Sequence, residues 1–99
     1  MMFDKMKSLM EMQKKIQEIK RQLDNTNVEI EDPQGFIKIV MNGSQDIKEV
    51  KVKKSIDESE CRAFEQALKD SFNKAIKQSQ EVAAQKMKSV TGLNLPGIT

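Results

Sequence analysis

Lys7, Lys14 and Arg21 stand seven residues apart, and residues 71 to 90 carry Lys74, Lys77, Lys86 and Lys88 against the single acid Glu81. Repeated cations do one kind of chemistry well: they hold anions, above all the phosphates of a nucleic-acid backbone, by charge and without reading bases. The first three cations each follow a carboxylate by three residues, Asp4, Glu11 and Glu18. Such i,i+3 pairs also make an ordinary solvated helix face, each worth about 0.2–0.5 kcal/mol. Residues 57 to 70 have the opposite balance, five acids to two bases, so the second basic group is the far half of a polarised segment. A helix dipole favours cations only in its last turn, which leaves Lys74 and Lys77 better explained by anion binding.

Other chemistry is poorly supplied. The chain has no histidine, which removes the commonest general base and transition-metal ligand, and one cysteine, too few for a Cys-rich zinc site or an internal disulfide. No phosphate-cradling GxxxxGK[ST] loop occurs. An enzyme, a cofactor, a metal and a small-molecule substrate are therefore not expected. Cys61 falls at an apolar-periodic position and is expected as a small core residue in a reducing compartment, the cytoplasm. The formal charge is only +2, from 17 basic and 15 acidic residues, so a nucleic-acid partner would be held by charge arrangement, not by excess charge. The four phenylalanines do not interleave with the lysines as stacking platforms for single strands would, and a duplex backbone is the better candidate.

The elements that must position these residues follow from periodicity. Leu9, Met12, Ile16, Ile19 and Leu23 recur at spacings of 3, 4, 3 and 4, a heptad seam on a helix over about 3–24 with the Lys7, Lys14, Arg21 stripe opposite it. Residues 27–54 hold short β-type runs separated by turn chemistry. Ile37, Ile39 and Met41 share one face of a strand, Val50 and Val52 keep the same period on the last strand, and Asn42-Gly43 signals a hairpin through residues that tolerate positive φ. Lys48, Lys51, Lys53 and Lys54 there read as edge protection. A long helix over about 57–90, with Ser55 or Asp57 as N-cap, carries Phe64, Leu68 and Phe72 on its apolar face; Gly92 and Pro96 end it. An apolar tail at 91–99 follows, with Leu93, Leu95 and Ile98 able to fold back on helix surface.

The expected fold class is α+β, a single 1–99 domain in the order helix, three-stranded antiparallel sheet, long helix (α-β-β-β-α). A helix of about 33 residues is about 50 Å long, well beyond the radius of gyration near 13 Å of a compact domain of this size. Part of it must project, and seam and sheet face need cover, so a homodimer with projecting helices is expected, with Leu9, Met12, Ile16, Ile19, Leu23, Ile37, Ile39, Met41, Phe64, Leu68 and Phe72 as dimer or core packing. No apolar stretch approaches a membrane span.

Four segments in order, LMEMQKKIQEIKRQL, GFIKIVMNGSQDIKEVKV, FEQALKDSFNKAIKQSQE and KMKSVTGLNLPG, resemble the YbaB/EbfC family of bacterial nucleoid-associated proteins over nearly the whole chain. The resemblance implies a cytoplasmic, nucleoid-associated homodimer whose helices project like tweezers, with double-stranded DNA as partner and no catalytic residue. It points to the two helices, where the charge pattern selects Lys7, Lys14, Arg21, Lys74, Lys77, Lys86 and Lys88 for phosphate contact. The rival expectation is a protein-interaction adaptor that uses the same helices.

Overall fold

The computed structural model describes residues 2–91, and their side chains over 4–88. Helical period, alternation and turn residues resolve into α1 (Met2–Asp24), β1 (Asn27–Glu31), β2 (Ile37–Asn42), β3 (Ile47–Val52), a 3-10 turn (Glu58–Glu60) and α2 (Cys61–Thr91). This is the expected α-β-β-β-α order. The expected tail, with Gly92, Leu93, Leu95, Pro96 and Ile98, lies outside the described residues.

The strands form one antiparallel sheet in the order β1-β2-β3. Alternation places Ile37, Ile39 and Met41 of β2 beside Val28 and Ile30 of β1 on the face that α2 covers. Ile30, Phe36, Ile37, Ile39 and Met41 are buried there against Ala67 and Ala75 of α2, and Phe64, Leu68 and Phe72 pack at the margin. Each large side chain so buried contributes about 1.5–3 kcal/mol. Ala67, Ser71, Ala75 and Ser79 recur every four residues along α2 and are at most 5% exposed. Small side chains on that stripe let the sheet approach the helix closely. Phe36 meets Phe64 edge-on at 5.9 Å, and the Lys54 Nζ lies 4.2 Å from the centre of the Phe36 ring.

The two tight turns use different devices. In Asp32-Pro33-Gln34-Gly35, Gly35 takes φ +78°, its N–H donates to the Asp32 carbonyl at 2.9 Å, and the Asp32 carboxylate accepts from Phe36 N at 3.1 Å. At the second turn the hairpin expected at Asn42-Gly43 joins β2 to β3, but the left-handed residue is Gln45, φ 65°, and Asn42 is the last residue of β2. Asn42 acts through its side chain instead. Its Oδ1 accepts from Ser44 N at 3.0 Å and Asp46 N at 2.9 Å, a local turn closed by the side chain. Gly43 is needed for closeness. Its N–H donates to the carbonyls of Leu23 and Thr26, both at 2.9 Å, and a Cβ there would stand 3.2 Å from the Leu23 carbonyl oxygen.

Asn42 is also the joint of the molecule. Its side-chain amide donates to the Asp24 carbonyl at the end of α1 at 3.1 Å, and its own carbonyl accepts from Ser79 Oγ on α2 at 2.7 Å. One fully buried residue thus binds the sheet to both helices. Below this joint Ile19 of α1 is buried and Leu23 half-buried, while every residue from 4 to 18 is exposed. The radius of gyration is 18.9 Å, with extents of 69 × 24 × 15 Å, against about 13 Å for a compact chain of this length. α1 is an arm.

Two further expectations are corrected. The long helix begins at Cys61, because residues 58–60 form a 3-10 turn in which the Glu60 carboxylate accepts from Asp57 N at 3.5 Å. Cys61 is exposed, not a core residue. It shares a helical sector with Phe72 and Ser79, but it sits in the first turn of α2. Periodicity fixes a direction without fixing how far the sheet extends along it.

Candidate nucleic-acid interface

A helix turns 100° per residue, so the seven-residue spacing of Lys7, Lys14 and Arg21 drifts by only about 20° per step and keeps them in one stripe along α1. All three are exposed. Their local partners differ from the sequence pattern. Only Arg21 closes its i,i+3 pair, its guanidinium gripping both oxygens of Glu18, with Nε at 3.2 Å from Oε2. That grip, with the Gln22 amide, holds the Glu18 carboxyl below its ordinary pKa and raises that of Arg21. Lys7 and Lys14 make no ion pair with Asp4 or Glu11 among the described residues, so their charge is uncompensated at contact distance. Lys20 pairs with Asp24 at 3.4 Å. Lys5 and Lys15, which the stripe argument passed over, are also exposed on the arm; a count of cations per helix would have included them.

On α2 the same arithmetic brings Lys74, Lys77 and Lys88 within about 60° of one another, on a face that also carries Glu81. Lys86 does not share it. It continues the line of Ala75 and Ser79, and it is half-buried where the other three are exposed. Lys74 also lines a cavity of about 410 Å³ between the β1–β2 turn and α2, together with Glu31, Asp32 and Asp70. Lys77 lies outside that lining. The seven sequence-selected cations therefore divide into an α1 stripe, an α2 stripe of three, and Lys86 apart.

The apolar candidates divide as well. Ile19, Ile37, Ile39 and Met41 are buried, Leu23, Phe64, Leu68 and Phe72 partly buried, and Leu9, Met12 and Ile16 are 62%, 53% and 48% exposed on the arm. What the sequence did not announce is the joint at Asn42 and Ser79, which sets where the α1 cations stand relative to those of α2. The only signal was a polar Asn closing a strand of Ile and Val.

No described helix is long and apolar enough to cross a membrane. Residues 1–94 match the YbaB/EbfC DNA-binding family. Relatives include a nucleoid-associated protein of Legionella pneumophila (strain Corby), 32% identical over 92 residues covering 92% of this chain and 82% of that one. A nucleoid-associated protein of Dictyoglomus thermophilum is 34% identical over 96 residues, 95% of this chain and 92% of the other. One from Hahella chejuensis is also 34% identical, over 96% of this chain and 89% of its own.

Proposed function

From the premise that the chain belongs to the YbaB/EbfC DNA-binding family, we propose that residues 1–99 act as one non-enzymatic domain that binds duplex DNA as a homodimer in the nucleoid. Its role there is architectural or gene-regulatory. The observation that carries this reading is the exposed arm: Lys7 and Lys14 stand unpaired with their neighbouring acids on a helix whose residues 4–18 touch no other element closely enough to be buried. A projecting cationic rod can lie along a phosphate backbone without giving up packing. Lys74, Lys77 and Lys88 supply the second contact line, and the duplex is held between the two by electrostatics. Each of these cations is assigned phosphate contact, not base reading.

Counterion release makes the reading testable. With 6 to 10 phosphates neutralised per dimer, affinity for a duplex falls by about 10³–10⁵ between 50 and 200 mM salt. A gel-shift titration that gives an almost flat salt response excludes the clamp. A second reading, a protein-interaction adaptor, is favoured by the exposed Met6, Leu9, Met10, Met12 and Ile16 on the same arm. Partners retained from lysate after nuclease digestion, with no salt-sensitive duplex binding by the pure protein, would select it instead.

A further inference from the structure

The cavity of about 410 Å³ between the β1–β2 turn and α2 has a floor of buried residues, Ile30, Asp32, Ala67 and Ser71, and an exposed rim that includes Glu31 and Asp70. Two floor residues carry polar atoms that the chain leaves unused. Ser71 is 3% exposed, and its hydroxyl bonds to nothing among the described residues. No fully buried side-chain oxygen or nitrogen among those residues lacks a partner, so the Ser71 hydroxyl keeps a small exposed surface, and the space it meets is the cavity it lines. Asp32 is 8% exposed and accepts from Phe36 N through Oδ2 at 3.1 Å. Its Oδ1 has no partner among the described residues and opens into the same space. Buried polar atoms are ordinarily bonded, and two acceptors left open on one cavity floor are placed to hold a donor.

We infer that this cavity binds a linear alkylammonium ligand, one ammonium donating to Asp32 Oδ1 and Ser71 Oγ. Charge selects a cation: the lining holds the carboxylates of Glu31, Asp32 and Asp70 against Lys74, which pairs with none of them among the described residues. Spacing selects an extended cation, because no three acidic, cysteine or histidine side chains among the described residues converge as metal donors. Shape selects an ammonium over a guanidinium. A guanidinium takes both oxygens of a carboxylate side by side, and Phe36 N already holds one of those of Asp32, whereas an ammonium is a point charge that takes single acceptors. Its aliphatic stem lies against Ile30, Ala67 and Pro33, and a second ammonium meets Glu31 and Asp70 at the rim. Each rim acid keeps an oxygen for it, since Glu31 uses Oε1 on Lys53 at 3.5 Å and Asp70 uses Oδ1 on the Gln66 amide at 2.9 Å. A free polyamine or a lysine side chain supplies this chemistry.

Isothermal titration calorimetry on the full chain, with no DNA present, tests this. The probes are spermidine as the free amine, Nα-acetyl-lysine amide as the lysine side chain, and magnesium chloride at matched ionic strength as a compact cation. Spermidine binds saturably. Asp32→Asn, which keeps an acceptor for Phe36 N, weakens it about tenfold or more, and Ser71→Ala weakens it about two- to fivefold. Lys74→Ala tightens it by removing a like charge from the lining. If Asp32→Asn fails to fold, the other two variants decide. Saturable binding of the lysine amide without spermidine, weakened by the same variants, keeps the ammonium site and assigns it to a lysine side chain. Binding that these variants leave unchanged, binding that magnesium reproduces, or no saturable binding of either amine up to about 10 mM overturns the inference.

Discussion

Asn42 is the residue on which the architecture turns, because it is fully buried and all of its polar atoms have partners in three different elements. Removing its side chain orphans the Asp24 carbonyl and the Ser44 and Asp46 amides together. Asn42→Ala should lower stability by about 2–3 kcal/mol, and Ser79→Ala, which loses one buried hydroxyl bond, by about 1 kcal/mol. Urea denaturation at fixed protein concentration measures both, and equal losses would mean that the Asn42 side chain is not the joint. A titrating contact sits beside it. The Ser44 hydroxyl, followed by Lys20, holds the Asp24 carboxyl below its ordinary pKa. A carboxyl lowered on folding adds stability above its unfolded value, near 4, and loses it as pH falls through the folded value. Wild type should therefore exceed Ser44→Ala in melting temperature at pH 7, with the gap closing as pH falls below the unfolded value and through the folded one. A gap that persists in acid would assign the effect of Ser44 to packing.

At the scale of elements, α1 is two structures in one helix. Its last turns are fixed by the joint and by the burial of Ile19 at 2% exposure; residues 4–18 are exposed. Ile19→Ala should cost about 2–4 kcal/mol, whereas Leu9→Ala should stay within about 0.5 kcal/mol. Comparable losses in denaturant titrations would show that the arm is covered in solution. The seam from Leu9 to Leu23 was legible in the sequence as a heptad, and so was the helix that carries it. Which part of the seam is core was not. A period states which side chains share a face and leaves open whether any other element reaches that face. Cys61 on α2 fails for the same reason, and the i,i+3 acids before Lys7 and Lys14 fail for a related one: spacing permits a pair, but two long exposed side chains gain little by forming it.

For the whole molecule the decisive quantity is how two cation stripes on separate helices stand to one duplex. If both lie against the same DNA, Lys14→Glu and Lys77→Glu each weaken binding to all sequences alike and reduce the salt slope by about one or more phosphates, and their free-energy effects add. Fluorescence anisotropy against duplexes of unrelated sequence reads this out. An effect at Lys14 with none at Lys77 would confine the interface to the arm. The sequence by itself determined the order of elements, the face that α2 turns to the sheet, and the positions of the cations along each helix, because periodicity, turn residues and charge are local properties of the chain. Only the tertiary structure decided that a single asparagine joins both helices to the sheet, that most of α1 stands clear, and that β3 is the edge of the described sheet. Those facts depend on contacts between residues 18 to 37 positions apart, such as Asn42 with Asp24 and with Ser79, and no local pattern encodes where distant segments meet.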